Sequence, residues 1–326
     1  MSRGDVTYHD LIARNRRNSV LLVVGFVLFV GILVGVLAGG LLHAEPSQAL
    51  LVGGAAVAVA GLISAWSYYG GGKAILAMSG AAPLDREDDP ALYNVVEEIA
   101  IAAGIPKPSV YRIDDSALNA FATGRDPAHA AVAITRGLRE RLSRDELQAV
   151  IAHEISHVRN YDIRLTMLLA TLVGMVVLIT DFFWRTLRFG AWTGAGRRRG
   201  GSRKGGAGGG AAVMFLVAIL LSIVAPAAAR LIQMAASRQR EYLADAGAVE
   251  LTRNPEAMIS ALRKLGGDKE VLEAANRATA HLYIVQPIKR WEKRAKGFLS
   301  SHPPLESRIA RLEQLLDHYL PQGESR

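Results

Sequence analysis

The 326-residue chain contains no cysteine. Disulfides and thiolate metal sites are therefore excluded, which fits a cytosol-facing protein. Aromatic residues are scarce, at 6%, although half of the chain is hydrophobic. The apolar mass is thus aliphatic, and its share exceeds that of an ordinary soluble globule and points to membrane segments. Acidic residues are outnumbered, 30 Asp and Glu against 38 Lys and Arg, for a formal charge of +8. Such a surplus suits nucleic acid or anionic lipid headgroups. The arginine-rich stretch has no interleaved aromatics to stack on bases, so no nucleic-acid partner is expected and the lipid bilayer is.

The length accommodates one large domain or two small ones. Residues 1–19 form a basic N-terminus with Arg14, Arg16 and Arg17 just before an apolar run at 20–42 that only glycines interrupt. That run is long enough to span a bilayer and exceeds the roughly 7–15 residues of a signal-peptide core. A short link without Lys or Arg leads to a second apolar run, 49–69, which ends in Trp66, Tyr68 and Tyr69. Aromatics of this kind suit the membrane–water interface. The charge asymmetry places the N-terminus in the cytosol and returns the chain there near Gly70-Gly71-Gly72-Lys73. Gly31, Gly35 and Gly39 recur every four residues, a helix-pairing face that offers a route to a homo-oligomer.

From 73 to 164 the composition turns soluble. Asp89-Pro90 opens a helix with Leu92, Val95, Val96, Ile99 and Ala103 at helical spacing. "SVYRID", "ALNAFAT" and "HAAVAIT" read as short strands, the last two as a hairpin. Ser143-Arg-Asp-Glu146 is an N-cap signature opening the next helix. An apolar segment follows at 165–184, then a basic, Gly/Arg-rich loop at 185–210 and a second apolar segment at 211–229. If both apolar segments span, the basic loop lies outside, against the positive-inside tendency; a hairpin that dips into the bilayer keeps it cytosolic. Residues 230–326 read as soluble and helical, ending in an amphipathic helix after Pro303-Pro304. The two soluble parts have to pack together, because neither alone has an obvious full core.

The chemistry lies at "HEISH", His153 to His157. On a helix these two histidines share a face and can reach one metal ion, with Glu154 about 100° round the axis, near a water on that ion. Zinc suits two imidazoles, one oxygen ligand and an open position; it lowers the pKa of a water toward about 7, so that a neighbouring carboxylate can take its proton. The uncharged flanks Val150, Ile151, Ile155 and Val158 bury this helix, where unpartnered histidines would be costly. A third ligand is available in "SRQREYLADAG" as Glu241, while Asp245, one turn later, can accept the other N–H of a ligand histidine.

These motifs, His153-Glu-Ile-Ser-His157 followed by Arg159-Asn160-Tyr161-Asp162, and Arg240-Glu-Tyr-Leu-Ala-Asp245, resemble those of the HtpX heat-shock membrane proteases, which share a gluzincin core with the CAAX prenyl proteases. "NAFATG" from Asn119, "AHLYIVQP" from Ala280 and "SSHPPLESRI" from Ser300 resemble further family segments, so the likeness covers nearly the whole chain. It implies a mainly α membrane protein with a gluzincin-like α+β metalloprotease domain around a small sheet, two N-terminal transmembrane helices and a central hydrophobic helix pair. It implies one zinc ion per subunit on His153, His157 and Glu241, with Glu154 as general base and Asp245 behind the first histidine. It suggests that Asn119, Ala120, Phe121 and Ala122 form an edge that pairs with an extended substrate. His302 and Arg308 match positions thought to contact the oxyanion, with Tyr283 a weaker candidate. The implied activity is that of a zinc metalloendopeptidase acting on misfolded membrane proteins, in the inner (plasma) membrane with several spans and the site facing the cytosol. The rival readings are a CAAX-type prenyl-peptide protease, for which four apolar segments are few, and a non-catalytic scaffold, which the intact Glu154 and ligand set oppose.

Overall fold

The computed structural model describes residues 8–42, 45–192, 208–268 and 303–319. Helices dominate: α1 (Tyr8–Leu42), α2 (Pro46–Met78), α3 (Pro90–Ala103), α4 (Arg136–Arg141), α5 (Arg144–Arg159), α6 (Asp162–Trp192), α7 (Gly208–Thr252), α8 (Pro255–Gly267) and α9 (Leu305–Tyr319). Four strands, β1 (Ala82–Pro83), β2 (Ser109–Ile113), β3 (Ala120–Gly124) and β4 (Ala130–Thr135), form one mixed sheet in the order β1-β2-β4-β3. β3 and β4 make the expected hairpin, antiparallel with Phe121 opposite Ala133, whereas β2 and β4 run parallel.

The chain divides into two compact units. Of the described residues, one takes those up to Asn15, Tyr68–Met167 and those from Met234 onward; the other takes those of Arg16–Ser67 and Leu168–Gln233.

In the first unit α5 is the central element. A capping box starts it: the Ser143 hydroxyl accepts from the Glu146 N–H, and the Glu146 carboxylate accepts from the Ser143 N–H. Leu147, Val150, Ile151, Ile155 and Val158 are wholly buried against α3, the sheet, α8 and α9. Glu146 also ties α5 to α8, accepting from the Ser260 hydroxyl at 2.7 Å and the Lys264 ammonium at 2.6 Å. The opposite face of the sheet carries a smaller cluster in which Phe121 packs with Ile75, Leu76 and Met167. That packing explains a departure from expectation. α2 does not stop at Gly70-Gly71-Gly72 but continues to Met78, because Ile75 and Leu76 have a core to enter. Gly72 also approaches Gly124 so closely that an added Cβ would lie 3.4 Å from its backbone.

In the second unit α1 and α2 pair through glycines. An added Cβ at Gly31 would collide with Val57, and one at Gly35 would meet the Ala49 carbonyl oxygen at 3.0 Å. The face expected to serve a homo-oligomer is therefore covered at Gly31 and Gly35 by α2 of the same chain, because small residues let the two backbones approach. Residues that do not pack inward are large and apolar: Leu21, Ile32, Leu50, Leu62, Leu178 and Leu220 are each more than half exposed. Val20–Gly39, Pro46–Met78 and Asp162–Arg188 are long and apolar enough to cross a membrane, with mean hydropathies of 3.2, 2.0 and 2.2. The fourth apolar segment is shorter among the described residues, at Phe215–Ala229, and lies within the continuous helix α7 that also carries Glu241.

Candidate metal centre

All of the metal-binding side chains belong to the first unit. His153 and His157 lie one turn apart on α5, with rings edge to face and centroids 4.8 Å apart. Glu241 arrives from α7. The two helices can approach because Gly247 faces Ser156: a Cβ there would sit 2.5 Å from the serine Oγ. The two Nε2 atoms are 3.2 Å apart, and the Glu241 oxygens lie 3.7 Å from His153 Nε2 and 3.6 Å from His157 Nε2.

Each imidazole is turned by a carboxylate. His153 Nδ1 is 2.9 Å from Asp245 Oδ1, and His157 Nδ1 is 3.1 Å from Asp162 Oδ2. With the protons on Nδ1, both Nε2 lone pairs point at one space, an arrangement that repels itself unless a cation lies between. The distances suit one. Three ligands at about 2.0–2.1 Å from a tetrahedral ion stand roughly 3.3 Å from one another, close to the triangle observed. The residues therefore fit a divalent metal, and His153, His157 and Glu241 would hold it.

The surroundings are strongly acidic and buried. Glu154, Glu241, Asp162 and Asp245 are all buried. Burial pushes the Glu154 carboxyl above its ordinary pKa, although both histidines work the other way and the Ala122 backbone N–H donates to it. Burial favours a neutral His157, but Asp162, Glu241 and Glu154 outweigh that effect and raise its pKa to about 9. The pocket is thus built for positive charge, a proton when no ion is bound.

Arg308, from α9, is fully buried, and its fork clamps Asp245 with Nε to Oδ2 at 2.8 Å and Nη2 to Oδ1 at 2.6 Å. Its Nη1 lies 3.5 Å from Glu241. Burial opposes the ionised Asp245, yet Arg308 and His153 hold its carboxyl below the usual range. The structure thus puts the Arg308 guanidinium on two carboxylates of the centre. Ala120 and Ala122 lie on β3, which pairs with β4 on one side only among the described residues. Asn119 precedes the strand, and its side-chain oxygen accepts from the Ala120 N–H at 3.1 Å. The Phe121 side chain points into the opposite face of the sheet. His302 and Tyr283 lie outside the described residues. Sequence reasoning missed the placement of Asp162 beside His157 and of Arg240, whose Nε is 3.9 Å from Asp162. Asp162 stood within the recognised motif, but its spacing from His157 signalled no contact.

Comparison with known proteins agrees with this geometry. Residues 86–316 match the model of peptidase family M48. A "Protease HtpX homolog" from Listeria innocua is 45% identical over 307 residues, covering 94% of this chain and 99% of the relative. A protein of the same description from Lactiplantibacillus plantarum is 44% identical over the same shares. Among solved structures, Ste24p of S. mikatae aligns with a TM-score of 0.43 and 22% identity, over 73% of this chain and 56% of that one. With a metal-binding triangle beside a buried glutamate, and relatives matched along nearly its whole length, the chain belongs to peptidase family M48 and is an HtpX-type metalloprotease.

Proposed function

We propose that this protein is a zinc-dependent endopeptidase that hydrolyses peptide bonds of misfolded or damaged membrane proteins, at the cytosolic face of the inner (plasma) membrane. The observation that carries the reading is the convergence of His153, His157 and Glu241 beside Glu154, in a chain with three helices able to cross a bilayer. Zinc on these ligands would supply Lewis acidity toward a water and the scissile carbonyl. Glu154 takes the proton of that water and then delivers it to the leaving amine. Burial raises the pKa of this carboxyl above its ordinary value, which favours its taking up a proton. Asp245 holds the His153 ring, and Arg308 serves the reaction through the two carboxylates it meets, holding the Asp245 carboxyl below its usual range and lying 3.5 Å from Glu241.

Substrate enters as an extended strand against β3. The Ala122 N–H that reaches Glu154 belongs to that strand, so a peptide laid along it passes beside the general base. Backbone pairing tolerates many side chains, as a quality-control enzyme requires. The arginines at 14, 16 and 17 orient the N-terminus, and with it the soluble part, toward the cytosol.

The test is a competition in proteoliposomes. A destabilised membrane protein sharing the bilayer, a soluble unfolded protein and a prenylated peptide are offered together. Cleavage of the membrane protein is expected to lead by about tenfold, from confinement to one surface. Equal rates for soluble and embedded chains contradict the quality-control reading, and preference for the prenylated peptide favours the CAAX-type one.

A further inference from the structure

The acidic residue behind His157 has no obvious place in the helical pattern. It is five positions further on, and along one continuous helix that residue would stand about 140° round the axis. The chain solves this with a break. α5 ends at Arg159, the Asn160 N–H caps it on the Ser156 carbonyl, and Tyr161 takes a left-handed conformation with φ of 61°. Tyrosine rarely adopts that region, and a residue held there marks a turn that the surroundings enforce. The Arg164 guanidinium stacks 5.3 Å from the Tyr161 ring. The turn swings the first residue of α6 back, so that the Asp162 carboxylate, 1% exposed, meets His157 Nδ1 at 3.1 Å. The second buried arginine of the centre, Arg240, stands behind it.

We propose that Asp162 is a positioning residue for the metal centre: it fixes the tautomer and ring plane of His157, and the left-handed turn at Tyr161 exists to deliver it. The inference rests on the metalloprotease reading above. Each ligand histidine then has its own carboxylate, Asp245 for His153 and Asp162 for His157. Asp162 is also the first residue of α6, whose continuation to Arg188 is apolar and long enough to span. The start of that helix is therefore part of the metal site.

The experiment uses the full-length protein in detergent and measures zinc affinity by competition with a chromophoric chelator. The set is the parent, Asp162→Asn, Asp162→Glu, His157→Ala and the double variant His157→Ala with Asp162→Asn. Asp162→Asn is expected to weaken zinc binding by about 10- to 100-fold, to shift the visible spectrum of the cobalt-substituted protein, and to lower kcat with little change in KM. Its loss is expected to vanish on the His157→Ala background, where no ring remains to be held. Asp162→Glu, which keeps the charge and moves it by one methylene, is expected to fall between parent and Asp162→Asn in zinc affinity and in the cobalt spectrum. It carries the test should Asp162→Asn fail to fold. Parent-like affinity in either variant, or a loss that adds in full to that of His157→Ala, overturns the inference. A parent that binds no zinc overturns the metal reading itself, a distinguishable result.

Discussion

Two imidazole Nε2 atoms facing each other at 3.2 Å, with four buried carboxylates around them, need a shared cation. In the metal-free protein that cation is a proton on His157, whose raised pKa of about 9 has a definite consequence. The sign is that of a group favoured in its charged form: the protonated ring stabilises the metal-free fold fully below about pH 6.5, and this contribution is lost as pH rises through about 9. Zinc requires the neutral ring, so ion and proton compete. Zinc affinity is expected to rise about tenfold per pH unit between pH 7 and 9 and then level off, with close to one proton released per ion bound at pH 7.5. Calorimetry in buffers of different ionisation enthalpy measures that release, and none would count against the arrangement. That His153 and His157 share a face was legible in sequence, because residues four apart lie on one side of a helix. Glu241 became legible only beside them, since Arg238 and Arg240 make its helix look like any charged surface. The role of Asp162 was not legible, because it depends on a left-handed tyrosine that no residue type advertises. For Arg308, its family position implied an oxyanion contact, while the clamp on Asp245 depends on the packing of α9, which local sequence does not encode.

Among the elements, α5 bears the site and its first turn carries the cross-link that holds it. Glu146 accepts from the helix N-cap, from Ser260 and from Lys264, and despite its burial these partners lower its pKa to about 2. Its folded-state pKa is depressed, so its contribution is present above about pH 4.5 and is lost as pH falls toward 2. Glu146→Gln is expected to lower stability by about 2 kcal/mol at pH 7, a figure discounted for the half-exposed ammonium of Lys264. The gap between the proteins is expected to narrow between pH 4.5 and pH 3, read by thermal unfolding of the detergent-solubilised pair. A gap independent of pH contradicts the ionic cross-link. Most element positions followed from period and caps: α3 from Asp89-Pro90, α5 from Ser143, α9 from Pro303-Pro304. The exceptions have tertiary causes. Two-residue β1 forms because Ala82 and Pro83 lie beside β2, and α2 runs through three glycines because its last turns have a core to fill. The pairing face at Gly31 and Gly35 was visible as a stripe, but a stripe does not name its partner, which is α2.

At the scale of the whole molecule, the ligands from α5 and α7 meet in one site, so the chain between them crosses the bilayer twice or not at all. Seven Lys and Arg at 185, 188, 197, 198, 199, 203 and 204 lie in that stretch, and positive charge favours the cytosolic side. We therefore expect the basic loop to stay on the side of the metal centre. The absence of cysteine gives a clean probe, since Ser202→Cys introduces the only thiol. In intact cells it is expected to resist an impermeant maleimide and to react after permeabilisation. Labelling in intact cells would show that both apolar segments span.

The claim on which all of this depends is that Glu154 serves a metal-activated water. The most direct measurement compares purified, zinc-loaded parent with Glu154→Gln, following self-cleavage and cleavage of an unfolded protein over time, with and without a chelator. The account predicts equal zinc content in both proteins, cleavage by the parent that the chelator abolishes, and a loss of about 10²- to 10⁴-fold in the variant. Equal cleavage by the two proteins, or cleavage by the parent that survives removal of the metal, would contradict it.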